Sequence, residues 1–188
     1  MLKHFERTRY VVGFVVVTVA MYSLTARIAR PTARVTRPAA ELASFQGRQV
    51  LVILVGSSSC RFTSDPRARI AFWKIVRAER TRGSDSVAVS TVGIAIDRSA
   101  GAGMETLKAI GEFDEYSVGN GWLSVAALHF IVRDLSGVAM VPQVLVVSRN
   151  VSSGSPPGVG EDSIHVRLAG VEEIERWANR LEAVPKGM

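Results

Sequence analysis

Cysteine is almost absent from this chain, in which Cys60 is the only one among 188 residues. One cysteine cannot form an intramolecular disulfide, so the sequence excludes a disulfide-stapled scaffold. It also excludes a C-x-x-C redox centre and a zinc site built from several cysteines. His129 and His165 have no partner at metal-ligand spacing. The sequence therefore predicts neither a metal nor a cofactor.

Acidic residues are nearly absent from residues 1–37, where Glu6 is the only one beside seven lysines and arginines. The net charge of the whole chain is +6, so residues 38–188 are neutral overall. A basic protein often binds nucleic acid. Here the basic residues flank an apolar run, which favours membrane insertion and argues against nucleic acid as a partner.

The apolar run at residues 10–26 (YVVGFVVVTVAMYSLTA) contains no charged side chain. As a helix it would reach roughly 25 Å, enough for a thin bilayer. Basic residues before the run favour a cytoplasmic N-terminus. We therefore predict a basic cytoplasmic segment at residues 1–9, a transmembrane anchor at 10–26, a tether at 27–44 and an extracytoplasmic domain at 45–185.

A cleaved signal sequence is the alternative for the same run, because its apolar part is short and contains small residues at Ala20 and Ala26. No A-x-A pattern stands at the end of the run, and Arg27 follows it directly. Both features favour an anchor that is not cleaved.

Beyond residue 45, buried-type apolar runs alternate with amphipathic segments. Predicted strands cover residues 49–55, 87–96, 115–118, 143–148 and 164–168, and predicted helices cover 66–82, 104–113, 123–135 and 171–184. Predicted core-facing residues are Ile70, Trp73 and Val76 in the first helix, Leu123, Ala127, Phe130 and Ile131 in the third, and Ile174, Trp177 and Leu181 in the last. This order predicts an α/β fold with a central mixed sheet flanked by helices.

Cys60 lies in the segment 56–63, between the first predicted strand and a helix that Ser64 or Asp65 can cap. A cysteine beside the N-terminus of a helix gains thiolate character and reactivity. The small polar residues around it favour exposure. The alternative is an inert buried cysteine, which is common for a single cysteine.

The segment VLVILVGSSSCRFT, followed by a helix and much later by Val141-Pro142, resembles the thioredoxin-like superfamily over residues 45–184. The resemblance implies that Cys60 matches the nucleophilic cysteine and that Thr63 occupies the place of the resolving one. It also implies a cis-proline at Pro142 that packs against the cysteine. Ser59 replaces the usual tryptophan. The anchor is similar to that of membrane-tethered bacterial members that act outside the cytoplasm.

The resemblance implies thiol–disulfide exchange in which Cys60 attacks a disulfide and an external thiol resolves the product. The expected partner is a disulfide- or thiol-containing protein or a small thiol. The Thr63 hydroxyl would donate to the thiolate, Arg61 would add positive charge, and Ser59 and Val141 would contact the substrate.

Two alternatives remain at this stage. A catalytically degenerate binding or assembly module fits the missing resolving cysteine. A one-cysteine peroxidase is the other, but Ile53 and Ser57 stand where peroxiredoxins carry the proline and threonine of Pro-x-x-x-Thr-x-x-Cys.

Overall fold

The computed structural model describes residues 34–35, 47–83, 87–132, 140–152, 158–159 and 161–183. All of these belong to one compact unit, Thr32–Met188. The predicted anchor at residues 10–26 lies outside the described residues, as does most of the predicted tether. Within the described ranges, no helix is long and apolar enough to cross a membrane.

Seven strands and four helices, with one short 3-10 turn and one π-helical turn, make up the described unit. The strands are β1 (Arg34–Val35), β2 (Gly47–Gly56), β3 (Val87–Ala95), β4 (Glu115–Ser117), β5 (Gln143–Ser152), β6 (Gly158–Val159) and β7 (Ser163–Ala169). The helices are α1 (Pro66–Arg82), α2 (Ala100–Ile110), α3 (Val125–Ala127) and α4 (Val171–Ala183). The 3-10 turn is Gly121–Leu123, and the π-helical turn Leu128–Val132 follows α3 directly.

The strands form one mixed sheet in the order β1-β4-β3-β2-β5-β6, with β7 also paired to β5. Strand β2 lies at the centre, parallel to β3 and antiparallel to β5. Strand β7 runs antiparallel to β5 as the predicted edge strand, and α4 follows it. The predicted α/β fold with a central mixed sheet flanked by helices is therefore confirmed.

The period-two alternation of β2 divides its apolar side chains between two cores. Val50, Val52 and Leu54 face one cluster, which also contains Phe72 of α1 and Ile174 of α4. The other alternating residues of β2 face a second apolar cluster, which consists of Leu51, Ile53, Val55, Val92, Ile94, Ala127, Ile131, Leu145 and Val147. Burial on both faces explains why the strand sequence is continuously apolar.

Helix α1 begins and ends where the sequence predicts. Asp65 caps it, since its carboxylate accepts a hydrogen bond from the Arg67 amide at 2.8 Å, and Pro66 occupies the first helical position. The prediction for its inner face was partly wrong. Val76 is buried, but Ile70 is 54% exposed, and Phe72 and Ile75 fill the core instead.

Helix α2 begins four residues before the predicted start at Met104 and ends at Ile110 rather than Phe113. Ser99 caps it by accepting from the Ala102 amide. Glycine is a poor helix former, but a Cβ at Gly103 would lie 2.8 Å from the Ala95 Cβ. A close helix–strand contact therefore keeps glycine within the helix.

The predicted helix 123–135 is replaced by shorter pieces, and residues 133–139 lie outside the described chain. Ser124 caps α3 by accepting from the Ala127 amide, which leaves Leu123 in the preceding 3-10 turn. Leu123 is 69% exposed, so its predicted place in the core was wrong. Ala127 and Ile131 are buried as predicted.

Candidate functional site

Cys60 is held in a tight turn between β2 and α1. Its amide donates to the Ser57 carbonyl at 3.1 Å, and the Thr63 amide donates to the Cys60 carbonyl at 3.0 Å. Asp65, and not Cys60, caps the helix. The Arg67 amide, followed by its guanidinium, lowers the pKa of Asp65 and keeps this cap ionised.

The Cys60 thiol contacts the loop that precedes β5. The half-buried Sγ donates to the Val141 carbonyl oxygen at 3.3 Å, across 81 positions of sequence. The Val141–Pro142 peptide bond is cis, as the resemblance implied. The fold therefore brings together Cys60, Val141 and Pro142, which the resemblance links although they lie far apart in the sequence.

Two hydrogen bonds hold this proline loop in place. The Gln143 side-chain amide donates to the Met140 carbonyl at 2.6 Å, and Gln143 is fully buried. The Gly170 amide donates to the Pro142 carbonyl at 2.8 Å. Because both anchors belong to the sheet or its last turn, the carbonyl that faces Cys60 is fixed by the core.

Thr63 is buried at 2% exposure, and its side chain packs toward β2. Its hydroxyl oxygen accepts from the Ser57 amide at 3.2 Å, which places it on the backbone of the turn and not on the Cys60 thiol. Its methyl group lies against Gly56, where an added Cβ would come within 2.5 Å of it. Thr63 therefore organises the turn that carries Cys60.

Arg61 and Ser59 lie on the outside of the same turn. The Arg61 guanidinium covers the ring of Phe62 at 4.7 Å from its centroid, and both side chains are exposed. Ser59 is exposed, with its hydroxyl 2.9 Å from that of Ser57. The structure thus leaves Ser59 accessible beside the cysteine and places the Arg61 charge over Phe62.

Asp97 also belongs to this site, although the sequence reasoning did not identify it. It follows β3 and is 8% exposed. Its carboxylate accepts from the Ser57 hydroxyl at 3.1 Å and from the Ser58 amide at 3.0 Å. Its position after β3 could have indicated that it lies near Cys60, because the carboxyl ends of neighbouring parallel strands lie at the same edge of a sheet.

The two peroxiredoxin-like positions have other roles here. Ile53 is fully buried in the middle of β2. Ser57 is 3% exposed, and its hydroxyl donates to Asp97. The serine at the position of the peroxidase threonine is thus engaged within the turn.

The two histidines of the described chain each pair with a polar neighbour. His129 Nε2 lies 2.7 Å from the Asp162 carboxylate, and His165 pairs with the Ser148 hydroxyl. No group of three or more histidine, cysteine, aspartate or glutamate residues within the described ranges could hold a metal ion.

The order of elements around Cys60 decides the fold type. The unit β2-α1-β3 is parallel, β5 and β7 form an antiparallel pair followed by α4, and the sheet order is β3-β2-β5-β7. Cys60 follows the central strand, and the cis-proline precedes its antiparallel neighbour. The fold is thioredoxin-like.

Solved structures of thioredoxin-like proteins are similar to this chain at low identity. StoA from Bacillus subtilis is 13% identical, with a TM-score of 0.37, over 72% of this chain and 84% of that one. A secreted Mycobacterium tuberculosis disulfide oxidoreductase homologous to E. coli DsbE is 15% identical, with a TM-score of 0.38, over 76% and 86%.

A thiol:disulfide interchange protein of the thioredoxin family from Chlorobium tepidum is 13% identical, with a TM-score of 0.37, over 80% of this chain and 93% of that one. No family model and no curated protein matches the sequence.

Proposed function

We propose that this protein is a membrane-tethered monothiol thioredoxin-like protein that carries out thiol–disulfide exchange through Cys60. The observation that carries the proposal is the contact between the Cys60 thiol and the Val141 carbonyl, 3.3 Å apart, next to a cis-proline. A half-buried thiol held between a turn and a rigid loop has a defined direction of attack. Defined orientation is what a sulfur nucleophile needs for displacement at a disulfide.

The proposed reaction has two exchange steps. The Cys60 thiolate attacks one sulfur of a substrate disulfide, forms a mixed disulfide and releases the other sulfur as a thiolate. A second thiolate from solution then attacks the substrate sulfur of the mixed disulfide. Cys60 leaves as a thiolate, and the two other sulfurs end joined as a disulfide. Sulfur–sulfur bonds made and broken balance in each step.

The external thiol follows from the residue at the resolving position. Thr63 has no sulfur, and its side chain is buried against Gly56 and the Ser57 amide. The chain has no second cysteine that could approach Cys60. A mixed disulfide on Cys60 therefore persists until a thiol-bearing partner protein or a small thiol attacks it.

The tether and its orientation are part of the same proposal. The apolar run at residues 10–26, with basic residues before it, supports an N-terminal anchor and a domain outside the cytoplasm. Thiol–disulfide chemistry is common in such oxidising compartments.

Glutathione disulfide provides the direct test on the full-length reduced protein. We expect one glutathione per chain by intact mass, none on a Cys60→Ser variant, and release of the adduct when reduced glutathione is added. The same protein unfolded in guanidinium is the matched control, because it has the same thiol without the turn. The folded protein should react faster than the unfolded one.

Equal rates in the folded and unfolded protein would overturn the proposal. Its main competitor is a domain that only binds or assembles. That competitor is favoured if a Cys60→Ser variant retains full function in cells, whereas a mixed disulfide trapped with a partner protein supports the exchange reaction.

A further inference from the structure

The Asp97 carboxylate hydrogen-bonds to the turn that carries Cys60. Both oxygens of Asp97 lie within 3.1 Å of the Ser58 amide, and Oδ1 also accepts from the hydroxyls of Ser57 and Ser58. The carboxylate only accepts, so each of these groups donates to it. Hydrogen bonds to a charged acceptor are stronger than those between neutral groups.

Hydrogen bonds between serine hydroxyls continue from Asp97 toward Cys60. The only hydroxyl proton of Ser57 is used on Asp97, so the Ser59 hydroxyl donates to Ser57 across 2.9 Å. The Ser59 amide also lies 3.3 Å from the Ser57 hydroxyl oxygen. Three successive residues before Cys60 are therefore tied, directly or through one hydroxyl, to the same carboxylate.

Asp97 is itself fixed by the fold. Its carbonyl accepts from the Gly121 amide at 3.1 Å, and the neighbouring Ile96 amide donates to the Gly56 carbonyl at 2.9 Å. The carboxylate thus extends from the end of β3 into the turn after β2. A movement of the turn relative to the sheet would break its hydrogen bonds together.

We propose that Asp97 is a positioning residue for Cys60. By fastening Ser57 and Ser58, it fixes the direction from which the sulfur meets a disulfide. This inference rests on the proposed exchange function and adds how that site is oriented. The Asp97 carboxylate bonds to Ser57 and Ser58, whereas the thiol bonds to the Val141 carbonyl, so Asp97 acts on Cys60 through the turn.

The test compares two reactions of the same thiol in the full-length protein. Iodoacetamide is small and approaches from many directions, whereas glutathione disulfide is bulky and must align its sulfur–sulfur bond with Cys60. Both react with the thiolate, so the ratio of the two rates at one pH removes most of the dependence on thiolate fraction. A loss of orientation lowers the ratio of exchange to alkylation. A loss of stability in a variant that stays folded does not change it.

For Asp97→Ala we expect the ratio of exchange to alkylation to fall by about fivefold, because the Ser57 hydroxyl and the amide and hydroxyl of Ser58 lose their shared acceptor. Asp97→Asn, which keeps one acceptor oxygen, should give an intermediate ratio. Asp114→Ala is the matched control, because Asp114 also accepts from a hydroxyl and an amide, those of Thr91. Its ratio should equal that of the wild type.

Ser58→Ala secures the test if the Asp97 variants do not fold. Ser58 is exposed, so this change removes one hydroxyl donor without opening the core. We expect its ratio to fall by about twofold. A wild-type ratio in the folded Asp97 or Ser58 variants overturns the positioning role. If wild-type protein exchanges no faster folded than unfolded, the exchange function itself fails, which is a separate result.

Discussion

At the scale of single residues, Thr63 is packed and hydrogen-bonded within the turn that carries Cys60. The side chain fills the space over Gly56 with its methyl group and accepts the Ser57 amide with its hydroxyl. A cysteine at that position would offer neither the methyl contact nor a strong acceptor. Position 63 is therefore occupied by a residue that stabilises the turn.

Gly56→Ala tests this packing. The new Cβ would meet the Thr63 methyl at 2.5 Å, so we expect a loss of about 1–3 kcal/mol in the free energy of unfolding. Thr63→Ser removes that methyl and keeps the hydroxyl. The double variant should therefore recover part of the loss, as measured by denaturant unfolding. A loss in the double variant equal to the sum of the two single losses would show that the residues do not compete for this space.

The sequence predicted part of this site, for physical reasons that differ between residues. Cys60 is predicted from its residue type and its place between a strand and a helix, whereas the role of Pro142 is implied only by the resemblance to thioredoxin-like proteins. Asp97 was missed because a carboxylate after a strand is common, and its partners are 39 and 40 positions away. The orientation of Arg61 over Phe62 depends on side-chain torsions that no sequence pattern encodes.

At the scale of elements, strands were predicted better than the helices around them. The β2 run is apolar on both faces because it has a core on each side, and this leaves a clear signal. The start of α2 was placed too late, since two glycines interrupt its first turns. Leu123 was assigned to a helix face, but the helix begins only after the cap at Ser124.

Alanine substitutions at the two glycines of α2 should have opposite effects on the stability of the protein. Gly101 is exposed, and a Cβ there would have only a 3.7 Å contact with the Ser99 hydroxyl, so Gly101→Ala should stabilise the protein by about 0.5–1 kcal/mol. Gly103→Ala forces a Cβ to 2.8 Å from Ala95 and should destabilise it by about 1–3 kcal/mol. Thermal or denaturant unfolding of both variants checks this. Equal effects would contradict the close contact between α2 and β3.

At the scale of the whole molecule, the charged residues are unevenly distributed along the sequence. Residues 1–37 carry the entire net charge of +6 around an apolar run, and residues 38–188 are neutral. A neutral domain is poorly suited to binding a polyanion, and a basic flank suits a membrane surface.

Membrane fractionation of the full-length protein tests the anchor. We expect it to sediment with membranes and to stay there through alkaline carbonate, because an apolar helix spanning the bilayer is not held by charge. A variant with Val15 and Val16 replaced by arginine is the control, and it should be extracted or fail to insert. Release of the unaltered chain by carbonate would argue against a spanning segment.

The central claim is that Cys60 exchanges disulfides and depends on an outside thiol because residue 63 is threonine. Intact mass of wild-type and Thr63→Cys protein after glutathione disulfide treatment tests it most directly. The Thr63 amide bonds to the Cys60 carbonyl at 3.0 Å, so both residues belong to one turn, and a sulfur at position 63 has to rotate from the Gly56 side toward Cys60 to attack it. We predict that the wild type keeps one glutathione until a thiol is added, and that the variant expels it and forms an internal disulfide. A wild type without adduct, or a variant that keeps its adduct equally long, would contradict the account.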